Sequence, residues 1–252
     1  MASEETWHFA AGIAGNVFAL ALFLSPIHTF VRIRRNKSTE QYSGLPYIFA
    51  FMNCLICTWY GLPIVSRDNI LVATVNGTGA FFQLFYICIY IAFSQKEARV
   101  KMVALLSLVI GIFTAIAMVS YEFMRQPLRR MFIGCLSIAS LISMFAAPLS
   151  IIKLVIQTHS VEYMPFYLSL STFLMSTSFF AYGLLGHDPF VSAPNGIGSF
   201  LGIIQLVLYL HYRRLSWRSC DTQPLLSSRI TLHDPSERLP DVILDSRCTC
   251  YF

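Results

Sequence analysis

Two asparagines stand inside long apolar runs, each followed by glycine: Val75-Asn76-Gly77-Thr78-Gly79 and Pro194-Asn195-Gly196-Ile197-Gly198. A carboxamide both donates and accepts hydrogen bonds, so a facing pair can grip a neutral hydroxyl-bearing ligand. For either amide alone, a hydrogen bond between helices is the competing reading. Four prolines, Pro26, Pro46, Pro148 and Pro165, also lie in or beside apolar runs, where each removes a backbone donor and weakens a helix locally. One such proline merely bends a membrane helix; four at matched positions read as hinges. Cys54 and Cys57 form a C-x-x-C, but no second ligand pair exists to complete a metal site, so helix packing is the plain reading. Cys88 and Cys135 lie in apolar runs and Cys220, Cys248 and Cys250 near the C-terminus, which gives no extracellular disulfide framework. The apolar runs carry no Asp or Glu except at their ends, although proton or sodium coupling normally needs a buried ionisable group. His28 and His211 fall near run ends and suit snorkelling better than a proton relay. No Gly-x-Gly-Asp, His-Glu-x-x-His or Gly-x-Ser-x-Gly stands in any run, so an intramembrane enzyme is disfavoured, and no metal or cofactor is expected.

The elements that must position these residues are membrane helices. The 252 residues are 56% hydrophobic and 12% charged, with a mean hydropathy of +0.61, whereas a soluble domain is about a quarter charged. A spanning helix needs about 20 mostly apolar residues. Seven windows qualify: 8–31, 45–65, 70–94, 101–121, 131–156, 165–186 and 190–212. The first is too long for a signal-peptide core and has Glu4 and Glu5 before it rather than Lys or Arg. The segment 213–252 is polar and contains Pro and Ser, and is expected to be a disordered tail.

Basic residues set the expected orientation. Arg32, Arg34, Arg35, Lys37, Lys96, Arg99, Lys101, Arg213, Arg214 and Arg218, with Lys153, cluster at one set of ends, against Arg67, Arg125, Arg129 and Arg130 at the other. The positive-inside rule then puts the N-terminus outside or in a lumen and the C-terminus in the cytosol, with the last three arginines working against it. The net charge of +5 is accounted for by basic flanks meeting anionic headgroups, and no nucleic-acid partner is expected.

The chain repeats itself. Leu24-Ser25-Pro26, Lys37-Ser38-Thr39-Glu40 and Pro46 recur as Ala147-Pro148, His159-Ser160-Val161-Glu162 and Pro165, and Tyr60-Gly61-Leu62 recurs as Tyr182-Gly183-Leu184. Pro46 to Asn76 and Pro165 to Asn195 are both 30 residues. Each copy holds three helices, 8–94 and 131–212, and the window at 101–121 restores the parity that lets both enter the membrane in one orientation. The expected fold is all-α, with seven transmembrane helices arranged three, one, three.

At these residues, and over about Gly12 to Tyr212, the chain closely resembles the SWEET sugar-transporter family of MtN3/saliva repeats, itself a known example of parallel-repeat transporters. Asn36-Lys37-Ser38-Thr39-Glu40, Trp59-Tyr60-Gly61-Leu62-Pro63 and Val161-Glu162-Tyr163-Met164-Pro165-Phe166 look plant-like. The stretch from Met164 to Ser176 is similar to the branch that moves glucose-type sugars, some of it at the vacuole. The resemblance implies uncoupled, bidirectional transport, with the sugar between Asn76 and Asn195 and with Cys57, Phe179 and Met144 in the pocket. Other members can carry Ser at the Cys57 position and Trp at the Phe179 position. Met144 is bulkier than the Val of sucrose-handling relatives, which implies a pocket sized for a monosaccharide. It further implies an inner gate hinged at Pro26, Pro46, Pro148 and Pro165 and an outer gate closed by Tyr60 on Asp188, a solvated loop carboxylate being the alternative for Asp188. Assembly with copies of itself or with relatives is expected. The dileucine-like Asp221-Thr222-Gln223-Pro224-Leu225-Leu226 and the branch resemblance point to the vacuolar membrane, with the plasma membrane as the alternative. Cys248 is one residue too early for prenylation. A seven-helix receptor shares the span count and N-terminal side; the parallel repeat disfavours it, as does the absence of a Lys in the seventh window to bind retinal.

Overall fold

The computed structural model describes residues 2–161 and 164–230. Over those residues the chain is helical, in the order α1 (Ala2–Leu24), α2 (Ile27–Asn36), α3 (Leu45–Gly61), α4 (Ile70–Phe93), α5 (Lys96–Phe123), α6 (Leu128–Met144), α7 (Ala146–Thr158), α8 (Phe166–Leu185) and α9 (Pro189–Ile230). Six segments are long and apolar enough to cross a membrane, counting α1 with α2 and α6 with α7 as one each. The seventh, α3, has 17 residues and rises about 25 Å, just short of a hydrocarbon core of about 30 Å. The seven windows therefore hold as spans.

Two windows contain a break that hydropathy does not show. Pro26 has no N–H for the Leu22 carbonyl, which instead accepts the Ser25 backbone N–H at 3.3 Å and the Ser25 hydroxyl at 2.9 Å, and the helix restarts as α2. In the second copy the Phe145 N–H turns back to Ile142 at 3.0 Å and α7 begins, with Pro148 in its first turn. Pro46 and Pro165 stand differently: Pro46 is in the first turn of α3 and Pro165 is the residue before α8. A missing N–H costs nothing there, so these two start helices rather than weaken them. The 213–230 part of the expected tail continues α9 as helix, because extending an existing helix adds one bond per residue without a new nucleus. Residues 231–252 lie outside the described residues.

The two copies interlock. Within each, the second and third spans pack together, α3 on α4 and α8 on α9. The first span of each then packs on the third span of its own copy and the second span of the other: α1 on α4 and α8, α6 on α9 and α3. This reciprocity is what a two-fold relation between parallel repeats requires. The odd helix α5 sides with the first copy, packing on α3 and α4, and the Trp59 indole N–H donates to the Ser120 hydroxyl at 3.0 Å.

The repeated Tyr-Gly-Leu has a packing reason. A Cβ on Gly61 would lie 2.8 Å from the Asn69 carbonyl and against the Ala73 backbone nitrogen. One on Gly183 would lie 2.5 Å from the Ser192 nitrogen. Only glycine lets the end of α3 meet the start of α4, and α8 meet α9, backbone to backbone.

Candidate functional site

A cavity of about 200 Å³ opens between the two copies, lined by α1, α3, α4, α6, α8 and α9. Asn76 and Asn195 both line it. Each donates one amide N–H to the carbonyl a turn back on its own helix, Asn76 to Val72 at 2.9 Å and Asn195 to Val191 at 2.8 Å. That bond fixes the side-chain rotamer and leaves each amide's second N–H and its oxygen without a hydrogen bond to the described residues. Repeat symmetry is thus kept down to the hydrogen bond.

Elsewhere the two walls differ. Cys57 and Phe179 both line the cavity and occupy matched positions one turn before Gly61 and Gly183. A turn further from the glycines, the first copy has Asn53 where the second has Met175, and both line the cavity. Asn53 accepts the Cys57 thiol at 3.7 Å. Gln83, from α4, adds a second amide to the first wall. One side is polar, and the other is apolar and aromatic.

At one end, where α3 turns into α4 and α8 into α9, the cavity is locked. Asp188, 1% exposed, sits at the start of α9, where its Oδ1 accepts the Phe190 backbone N–H at 2.9 Å. Its Oδ2 accepts the Tyr60 hydroxyl at 2.6 Å, the Asn69 amide and, at 2.9 Å, the Arg130 guanidinium. A buried carboxylate holding four donors is a structural centre, so the solvated-loop reading of Asp188 fails. The matching tyrosine, Tyr182, donates to the Asp68 backbone carbonyl at 2.7 Å and stacks on His8 at 4.0 Å between ring centres. By repeat position His8 corresponds to Arg130 and Asn69 to Asp188, so the lock has a charged half and an uncharged half.

Most of the residues expected from the sequence are brought together here: Asn76, Asn195, Cys57, Phe179 and Tyr60 line one cavity, and Asp188 accepts the Tyr60 hydroxyl at its end. Met144 is not among the lining residues. It ends α6 at the break, beyond Leu141 and Ser137, which present that helix to the cavity. The four prolines mark helix starts away from the lining, two within spans and two at span ends. Asn53, Gln83 and Ser137 also line the cavity, and Asn69 and Arg130 join Tyr60 on Asp188; no sequence motif marks these five.

Arg129 and Arg130 also explain themselves. Arg129 donates to the carbonyls of Ser120, Tyr121 and Met124 at the end of α5 and of Ile64 across the turn, and Arg130 is paired with Asp188. Both are committed to internal partners, which is why they stand against the basic majority.

A membrane bundle of two interlocked parallel repeats, with a largely apolar cavity between them that carries four amide side chains and is bridged at one end by buried hydrogen bonds, is the architecture of a transporter. The family profile described as "Sugar efflux transporter for intercellular exchange" matches residues 9–98 and 131–216, the two copies without α5. The chain is 60% identical over 218 residues to the rice bidirectional sugar transporter SWEET2a, covering 86% of this chain and 89% of that one. It is 55% identical over 220 residues to SWEET2 of Arabidopsis thaliana, covering 87% and 93%. The solved structure of a eukaryotic SWEET transporter superposes with a TM-score of 0.83 at 56% identity, over 84% of this chain and 99% of that one. This chain belongs to the MtN3/saliva family of SWEET transporters, and the receptor alternative falls.

Proposed function

We propose that the chain lets small sugars of the glucose type equilibrate across a membrane in either direction, without coupling to an ion, by alternating access. The observation that supports this most is the matched pair Asn76 and Asn195 in one cavity, each with a donor and an acceptor to spare. A sugar hydroxyl needs both. The Phe179 ring offers an apolar face for the C–H side of a pyranose, and Cys57 stands at the matched position on the opposite wall.

In this reading Tyr60 on Asp188 is the outer gate, closed here, and Pro26, Pro46, Pro148 and Pro165 are hinges of the inner one. The breaks at Pro26 and Pro148 supply bends within the first span of each copy, and Pro46 and Pro165 fix where the second spans begin. The N-terminus faces outside or a lumen, the C-terminus the cytosol, and the protein works in the vacuolar membrane as an assembly with its own copies or with relatives. Leu225→Ala with Leu226→Ala moves a tagged protein to the cell surface if the dileucine directs sorting, and leaves it in place if not.

Radiolabelled glucose flux in proteoliposomes tests the main reading. Net flux should run down the sugar gradient in either direction and cease at equal concentrations, where efflux and influx match, whatever the pH difference. Accumulation driven by a proton gradient, or no flux of any hexose, would refute it.

A further inference from the structure

We propose that Gly15 on α1 sets how far the Phe179 ring reaches into the cavity, and so fixes the size of sugar the site accepts. This rests on the reading that the chain carries sugars and that Phe179 meets the bound ring. A Cβ on Gly15 would lie 2.6 Å from Phe179 Cε2, 2.8 Å from its Cδ2 and 3.0 Å from its Cζ. Carbon atoms pack at about 3.5–4.0 Å, so the aromatic ring rests on the backbone of α1, in a notch that a side chain would fill. On another side it meets the Tyr182 ring edge-on at 6.0 Å between centres, and it also lines the cavity. A methyl at position 15 must move the ring by about 1 Å. Packed neighbours do not yield that much, so the cavity is the side that takes it.

The repeat shows what the other wall does instead. Matched positions keep matched contacts: a Cβ on Gly79 would meet Cys54 Sγ and Phe23 Cζ, both at 2.8 Å, and one on Gly198 would meet Ser176 Oγ at 2.8 Å and Phe145 Cε1 at 3.5 Å. Cys54 corresponds to Ser176 and Phe23 to Phe145. By the same correspondence Gly15 and Phe179 become Ser137 and Cys57, which both line the cavity. Size is thus passed between the two members of each pair. Where the second span carries an aromatic ring, the first span carries glycine; where it carries a small thiol, the first span carries a side chain of its own. The Ser137 hydroxyl donates back to the Gly134 carbonyl at 2.8 Å, so it stays on its own helix. This exchange ties residue 15 to residue 179 and makes Gly15 a positioning residue for the apolar wall.

The test is equilibrium binding of glucose, and of xylose, which lacks the C6 hydroxymethyl group, to the full chain in detergent. The proteins are the parent, Gly15→Ala, Phe179→Cys and the two combined. One carbon group in a close-fitting pocket is worth about tenfold or more, so Gly15→Ala should bind glucose about tenfold more weakly while xylose changes less than about twofold. With Phe179→Cys already present, the same alanine should change neither sugar by more than about twofold, because the ring it displaces is gone. Equal losses of both sugars in Gly15→Ala, no loss, or the same glucose loss with and without the ring would overturn the proposal and leave the sugar reading standing. If Gly15→Ala does not fold, Gly15→Ala with Phe179→Leu takes its place, read against Phe179→Leu alone. That pair should fold and shift preference toward xylose; failure to fold, or an unchanged preference, would overturn the proposal. A parent that binds neither sugar would remove the sugar reading and the proposal together.

Discussion

Asn76 and Asn195 sit on matched helices and make the same bond to a valine carbonyl one turn back, yet the two repeats differ in nearly everything around them. The first repeat adds Asn53, Cys57 and Gln83 to the cavity; the second adds Met175 and Phe179. The first is also better pinned at the proline end. There Phe30 of α2 stacks on Tyr86 of α4 at 4.6 Å, the Tyr86 hydroxyl donates to the Phe23 carbonyl at 2.6 Å, and Tyr90 donates to the Tyr42 carbonyl at 3.0 Å. At the matching positions the second repeat has Ile152, Gln205 and Tyr209, of which Tyr209 packs on Phe166 at 5.2 Å between ring centres, and of α7 only Val155 is buried. The odd helix α5 packs mainly on the first repeat as well. Duplication supplied two matched amides in one cavity, and divergence made their surroundings more polar on one side and apolar and aromatic on the other.

The sharpest way to break this comparison is at the lock, whose halves are unequal. Asp188→Ala leaves Tyr60, Asn69, Arg130 and the Phe190 N–H without their acceptor. Breaking a buried ion pair costs roughly 3–5 kcal/mol, and the lower end applies because the Arg130 side chain is 40% exposed. Glucose flux should fall more than tenfold while the protein still reaches the membrane, with a cysteine placed at Val191 becoming reactive from the lock side. Tyr182→Phe, in the uncharged half, loses one neutral hydrogen bond, about 0.5–1.5 kcal/mol. Its flux should stay within severalfold of the parent, and equal losses in the two variants would contradict an unequal lock.

A smaller and symmetric effect is expected at the glycines. Gly61→Ala and Gly183→Ala each force a methyl against a neighbouring backbone, at about 1–3 kcal/mol. Thermal unfolding in detergent should shift downward by similar amounts in both. A clear inequality would show that one repeat can relax there and the other cannot.

The smallest effect should come from Met144→Val. Because Met144 stands past the cavity at the end of α6, glucose flux should change less than twofold and sucrose should not become a substrate. Gain of sucrose flux would show that this position reaches the sugar in another state of the cycle.

Much of this was legible in the sequence, for physical reasons that also explain the gaps. The seven spans follow from hydrocarbon thickness, and the asparagine pair from the repeat, since a costly buried amide kept twice at one spacing stands out. The breaks at Pro26 and Phe145 were hidden because hydropathy runs through them unchanged. Asn53 and Gln83 carry no such signal, because the repeat has Met175 and Gly202 at the matching positions and no polar pair marks them. Helical spacing would have found them, Gln83 seven after Asn76 and Asn53 four before Cys57. In the sequence Arg130 looks like a topogenic charge, because its partner Asp188 is 58 residues away and only the packing of α6 on α9 brings the two together.

The central claim is that one sugar is held between Asn76 and Asn195, and glucose affinity of Asn76→Ala and Asn195→Ala, measured on monodisperse protein, tests it most directly. A lost hydrogen bond with an unpaired ligand hydroxyl costs about 1–3 kcal/mol, so each variant alone should bind glucose roughly tenfold or more weakly while folding and reaching the membrane as the parent does. Parent-like affinity in either variant would remove that residue from the site, and loss of folded protein along with affinity would make the pair a staple between helices instead.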